Sequence, residues 1–186
     1  QELRNCLFRG GLNDLLKELV AYEPWLSIIG RKQPDKRMRD EELILRFFAF
    51  YNKGLSSYRT PQKHWLNDMA KEGRFFDESI IDELRKIWKK GINNSLVLFT
   101  PTHCFRRIPK GKSRVINRAL MDLSMITLCD LDKDSVLNIK KEYKSRYKKL
   151  FRNDEFVDLI SKSVDHTKRT KRRFEIWENE VVQGLI

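Results

Sequence analysis

The chain has 186 residues, 40% of them hydrophobic and 34% charged, and its formal net charge is +12 at pH 7. A chain of this length can bury one core without disulfides or metals, and its three widely spaced cysteines exclude a secreted disulfide framework. We therefore predict a reducing, cytoplasmic location. No apolar run approaches the roughly 20 residues of a membrane-spanning helix, so no membrane partner is predicted. The positive charge favours polyanionic partners.

The first third of the sequence predicts helices. Apolar residues from Leu3 to Leu19 recur at steps of three and four, and Gly10–Gly11 divides them into two short helices. A further helix is predicted from Arg39 to Lys53, because three acidic residues follow its start and Gly54 can end it. On that helix Glu42 stands four residues before Arg46, a spacing that predicts an ion pair between them.

Two start signals and one ambiguous segment mark the middle of the chain. Thr60–Pro61 predicts a helix start with Thr60 as the cap and Pro61 as the first helical residue. Asp77 predicts the cap of the next helix, which can continue past Gly91. Residues 96–108 are the one segment where a short strand pair is plausible, although two prolines leave little room for a sheet.

The last third again has helical periodicity. Asp132 is the predicted cap of a helix whose apolar stripe consists of Val136, Ile139, Tyr143, Tyr147 and Leu150. A shorter helix and a final one starting at 167–170 follow. The whole pattern predicts an all-α, irregular bundle of about eight to ten helices, forming a single domain over residues 1–186.

Most of the positive charge lies between Lys140 and Arg173. This stretch contains thirteen Lys and Arg residues and five acidic residues. Like charges at a spacing of four residues repel each other, so this arrangement favours a polyanionic ligand that offsets the repulsion. The alternative is a solvated face without a ligand. The candidate nucleic-acid-binding residues are Lys140, Lys141, Lys144, Lys148, Arg169, Arg172 and Arg173.

No complete catalytic, metal or cofactor site is predicted. Lys110–Ser113 resembles the end of a phosphate-binding P-loop, but Arg106 stands where that motif requires glycine. The three histidines, His64, His103 and His166, lack zinc-ligand spacing, and Cys104 has no evident base. We therefore predict no cofactor and no catalytic activity for this chain alone.

Several segments resemble the helical second half of the GmrSD-type restriction endonuclease N-terminal family. They are Gln1–Gly10, Arg37–Phe47, Phe105–Arg106, Asn117–Leu120 and Thr167–Ile176. The resemblance implies a bacterial or archaeal protein of defence against phage and foreign DNA. It also implies an upstream half, similar to the ParB/sulfiredoxin fold, with an Asp-Gly-Gln-Gln-Arg motif for nucleotide hydrolysis or nuclease action. That motif is absent from the present sequence.

The resemblance thus predicts that the chain is the C-terminal part of a longer protein. The candidates for contact with the upstream half are Arg4, Asn5, Arg9, Arg37, Arg39 and Glu42. The leading hypothesis is a helical region that supports this half, a nuclease or nucleotide-hydrolysing domain, and contacts nucleic acid, with DNA favoured over RNA. The alternative is a structural or protein-interaction module. A contiguous basic surface favours the first, and ion pairing of the basic residues favours the second.

Overall fold

The structure is a computed structural model that describes residues 4, 7–107 and 115–186. Within these residues it contains nine α-helices and no β-strand. The helices are α1 (Gly11–Val20), α2 (Glu23–Ile29), α3 (Arg39–Lys53), α4 (Gln62–Glu72), α5 (Glu78–Leu98), α6 (Arg118–Leu128), α7 (Lys133–Leu150), α8 (Asp154–Leu159) and α9 (Thr167–Trp177). Short turns of other helical types occupy Leu55–Ser57, Gly73–Phe75 and Glu178–Val182. The predicted all-α bundle is confirmed.

Two of the predicted helix starts are capped as expected. The Asp77 carboxylate accepts a hydrogen bond from the Ile80 amide at 3.0 Å, and Asp132 accepts one from the Ser135 amide at 2.8 Å. The expected cap at Thr60 is wrong. Pro61 has an extended backbone and directly precedes α4, so the helix starts one residue later than predicted. The peptide bond between Thr60 and Pro61 is cis.

Helix, and not strand, occupies the start of the segment where a strand pair was plausible. Residues 96–98 form the last turn of α5, and turns follow at 101–105. Asn94 holds this end of α5 in place, since its side-chain amide donates to the carbonyls of Leu128 and Leu131 at 2.9 and 2.8 Å. The helix can therefore continue past Gly91 to Leu98.

The long helices α3 and α5 are central to the core. Helix α3 packs against α1, α4 and α6, and α5 packs against α1, α2, α6 and α7. Trp25 and Trp88 meet edge to face with ring centroids 5.5 Å apart, and Phe47 of α3 lies 5.4 Å from Trp88. Buried apolar residues from α1 to the turn at Glu178–Val182 form one continuous cluster. Across the described ranges, no helix combines the length and the apolar character needed to cross a membrane.

Gly73 permits a close contact that a larger residue would prevent. A Cβ atom at this position would lie 2.2 Å from Cδ2 and 2.7 Å from Cβ of Leu12. Gly91 is also crowded, but its nearest neighbour is the terminal methyl of Met125 at 2.9 Å. A methionine end can rotate away, whereas the Cβ of Leu12 is fixed to the backbone of α1.

We expect Gly73→Ala to lower the free energy of unfolding by about 1–3 kcal/mol because it overpacks the contact with Leu12. Gly91→Ala should be less destabilising, since its clash is relieved by Met125 and alanine is the better helix former by about 1 kcal/mol. Urea denaturation of both variants measures the difference. A larger loss for Gly91→Ala than for Gly73→Ala would contradict this account of the two contacts.

Candidate functional site

Helix α7 and the turn that follows it carry six basic side chains on one surface. We call this surface the basic face, and it consists of Lys140, Lys141, Lys144, Lys148, Lys149 and Arg152. Leu137 and Asn138 at one end and Ser145 among the cations complete a shallow, open depression. Four of the seven nucleic-acid-binding candidates thus lie together, and the structure adds Lys149 and Arg152 to them.

The opposite side of α7 fixes the basic face in position. Val136, Tyr143, Tyr147 and Leu150 are buried, as the apolar stripe predicts. The Tyr147 hydroxyl also donates to the carbonyl oxygen of Arg106 at 2.9 Å. Because the helical period is 3.6 residues, the lysines between these anchors point away from the core.

The basic face has no acidic partner among residues 4, 7–107 and 115–186. None of its six cations forms an ion pair within the described part of the chain. Glu142 lies at its edge, but its carboxylate accepts from Nε of Arg146 at 2.9 Å. Arg146 in turn donates to the carbonyl of Gln183 at 2.8 Å, which directs this pair toward the C-terminal segment. Within the residues that the structure describes, no ion pair therefore compensates the positive charge of the basic face.

The other three candidates lie elsewhere and have partners. Arg169 pairs with Asp158 at 2.6 Å, and Arg172 pairs with Glu155 at 2.7 Å. Arg173 is 0% exposed and donates to the carbonyl of Val164. A guanidinium within the core cannot reach a phosphate at the surface, so Arg173 is not part of a surface interface.

Two of the residues proposed to contact an upstream half lie together. Arg4 donates to Asn67 at 2.7 Å and to Glu42 at 3.3 Å, so two candidates meet each other. Arg39 pairs with Asp35 at 2.5 Å, and the remaining two described candidates, Arg9 and Arg37, are exposed. Asn5 lies outside the described residues, as does the P-loop-like segment 110–113.

The expected ion pair between Glu42 and Arg46 is wrong because Arg46 turns into the core. Its Nε lies 3.0 and 2.9 Å from the two carboxylate oxygens of Asp122, 76 residues away in sequence. Its Nη1 donates to Gln62 at 2.8 Å and to Asp165 at 2.9 Å. Glu42 is left to pair with Arg4. A partner from a distant helix has replaced the local one.

Arg46, Asp122 and Arg173 form a buried charge cluster, which the half-exposed carboxylate of Asp165 joins from the surface. Nη2 of Arg173 approaches the Asp122 carboxylate at 3.6 Å, so one buried carboxylate faces two guanidinium groups. Burial acts to lower the pKa of Arg46, but Asp122 and Asp165 outweigh it and leave that pKa raised. Burial lowers the pKa of Arg173 to about 10, because its contact with Asp122 is longer and Arg46 is close by.

We expect Asp122→Ala to destabilise the protein by about 3–5 kcal/mol, since it leaves two buried guanidinium groups without their shared carboxylate. Arg172→Ala is the matched control, because it breaks an ion pair at the surface with Glu155. It should change the unfolding midpoint little. Chemical denaturation with circular dichroism measures both variants. Similar losses in both would show that the buried cluster contributes no more than a surface pair.

The described residues do not offer a metal centre or an activated thiol. Among them no three His, Cys, Asp or Glu side chains are grouped so that they could hold a metal ion. Burial raises the pKa of Cys104 and that of Cys129 to about 12 each. A thiol with such a pKa is protonated at neutral pH and is a poor nucleophile.

We expect Cys104 and Cys129 to remain unmodified when the folded protein is treated with iodoacetamide at pH 8, because both thiols are buried and protonated. In guanidinium chloride both should react at the rate of an ordinary cysteine. Mass spectrometry of tryptic peptides identifies the modified residues. Rapid alkylation of Cys104 in the folded state would show that its thiol is accessible and ionised.

Comparison with known proteins finds no relative. No protein-family model matches the chain, and no curated protein or solved structure matches it. The resemblance to the GmrSD-type family rests on the sequence segments named above and stays a prediction.

Proposed function

We propose that this protein contacts nucleic acid through the basic face of α7. The observation that carries the proposal is a group of six cations, five on a firmly anchored helix and Arg152 just after it, without an acidic partner in the described residues. Uncompensated Lys and Arg side chains gain affinity for nucleic acid because neutralising phosphates releases counterions. Ion pairing of Arg169 and Arg172 leaves the helix α7 lysines as the principal contacts.

The dimensions of the basic face suit a phosphate backbone. From Lys140 to Lys149 the helix axis advances about 14 Å, at 1.5 Å per residue. Duplex DNA carries about eight phosphates in that length. Five of the six cations are lysines, and a lysine provides a point charge and not a bidentate fork, which suits contacts with phosphates. We accordingly propose binding without sequence preference, with DNA as the first ligand to test and RNA as the second.

A wider role follows only from the sequence resemblance. In that proposal the chain supports an upstream nuclease or nucleotide-hydrolysing domain of a phage-defence protein, and activity requires the intact protein. The six cations of the basic face support the proposal of nucleic-acid contact, and they do not support this wider role.

The competing proposal is a protein-interaction module that binds an acidic partner. Leu137 favours it, since this side chain is 46% exposed at one end of the basic face and could contact an apolar group. The two proposals differ in whether the protein binds duplex DNA, so a titration with labelled duplex separates them.

We expect the protein to bind a fluorescent 20-base-pair DNA duplex with log affinity falling linearly with log salt. If all six cations contact phosphates, the slope should be about −5, from −0.9 for each contact. Replacing Lys141, Lys144, Lys148 and Lys149 by alanine should reduce the magnitude of this slope by about 3–4. Fluorescence anisotropy at several salt concentrations gives both slopes, and a single strand and an RNA duplex extend the comparison.

The matched control carries alanine at Lys32, Lys36, Lys71 and Lys86. These lysines are exposed and lie outside the basic face, so the control loses the same total charge. It should keep most of the native slope. An equal effect of both variants would indicate a response to net charge alone, and absence of DNA binding by the native protein would falsify the proposal.

A further inference from the structure

The charges of the basic face are spread around α7 as well as along it. Successive residues of an α-helix are turned by about 100° about its axis. Lys144 and Lys149 are five residues apart, so they point about 140° apart. Lys141 and Lys148 are seven residues apart and point to nearly the same side, about 20° apart. The face therefore has two flanks, with Lys144 on one and Lys149 on the other, and a centre that carries Lys141 and Lys148.

The buried side of α7 fixes the direction of both flanks. Tyr143 and Tyr147 lie opposite the centre of the face and are fully buried. Their rings stack with centroids 6.3 Å apart, and the ring of Tyr147 lies 4.9 Å from that of Phe99. Rotation of α7 about its axis would expose these rings to water, at a cost that follows from their large apolar area. The two flanks are thus presented together and in fixed directions.

A groove of duplex DNA has phosphates on both sides of a helix of this size. An α-helix with its side chains is about 10–12 Å across. The major groove of B-DNA is about 12 Å wide and is bordered by the backbones of both strands. Lysines on the two flanks can therefore each reach the nearer strand. A single strand has one line of phosphates, which can meet the centre and one flank but not both flanks unless it wraps around α7.

The basic face also lacks the groups that hold single strands. Proteins that bind single-stranded nucleic acid stack its bases on aromatic side chains. Among the described residues that line the face none is aromatic, since the cations are accompanied by Leu137, Asn138 and Ser145. The two tyrosines of α7 are buried, and Phe151 packs against Tyr147 with ring centroids 5.2 Å apart. Unpaired bases would find no ring on this surface, whereas the bases of a duplex already stack on one another.

We infer that the basic face lies across a groove of double-stranded DNA and contacts both strands, and that it therefore selects a duplex over a single strand. The inference rests on the proposed function and adds to it the form of the nucleic acid and the position of α7 on it. Charge density acts in the same direction. A duplex carries one phosphate per about 1.7 Å of its axis, whereas each of its strands carries one per about 3.4 Å.

The test compares a labelled 20-base-pair duplex with a 20-nucleotide strand of thymidine, which forms no duplex, by fluorescence anisotropy at one low salt concentration. The duplex should bind at least tenfold more tightly. Equal or tighter binding of the single strand would overturn the inference and leave the proposal of nucleic-acid contact intact. Binding of neither ligand would overturn both.

Two variants with the same loss of charge test the contact with both strands. Lys144→Ala with Lys149→Ala removes the flanks, and Lys141→Ala with Lys148→Ala removes the centre. The flank variant should lower the ratio of duplex to single-strand affinity at least about threefold, because the duplex loses two phosphate contacts and the single strand loses one. The centre variant should weaken binding of both ligands by similar factors and so preserve the ratio.

Alanine is a good helix former, so both variants should keep their helix content, which circular dichroism checks. An unchanged ratio in the flank variant, or an equal fall in both variants, would refute the contact with two strands.

Discussion

The ion pair between Arg46 and Asp122 determines how the helices fit together. Arg46 belongs to α3, and its guanidinium contacts α6 through Asp122, α4 through Gln62 and the segment before α9 through Asp165. Sliding any of these elements would leave a buried charge without its partner, at a cost of several kcal/mol. The apolar core supplies most of the driving force for folding, while this ion pair restricts the core to one arrangement.

Charge is used in two different ways in this molecule. The arginines of the core and of α9 pair with carboxylates or donate to carbonyls, as a rigid, planar guanidinium favours. The lysines of α7 extend into solvent as flexible point charges. A high net charge is therefore a poor guide to ligand contacts until paired and unpaired cations have been separated. That separation reduces the candidate interface to one helix.

Periodicity and capping residues predicted much of the fold. Helix α3 has the bounds expected from its acidic start and Gly54, and Asp77 and Asp132 cap the helices as predicted. The position of Arg46 could not be predicted in this way. Its local neighbour Glu42 satisfied the spacing rule, whereas Asp122 is 76 residues away. For the same reason Arg173 could not be distinguished from the surface cations: its burial depends on helices that meet only in the folded chain.

The way α7 ends bears on how fast a ligand could be captured. Lys148 and Lys149 lie in its last turn, where the helix dipole is negative, so they stabilise the helix without any bound ligand. The surface is consequently preformed, and binding would not require a segment to become ordered. Encounter would instead be controlled by long-range attraction, which makes the association rate, and not only the affinity, sensitive to ionic strength.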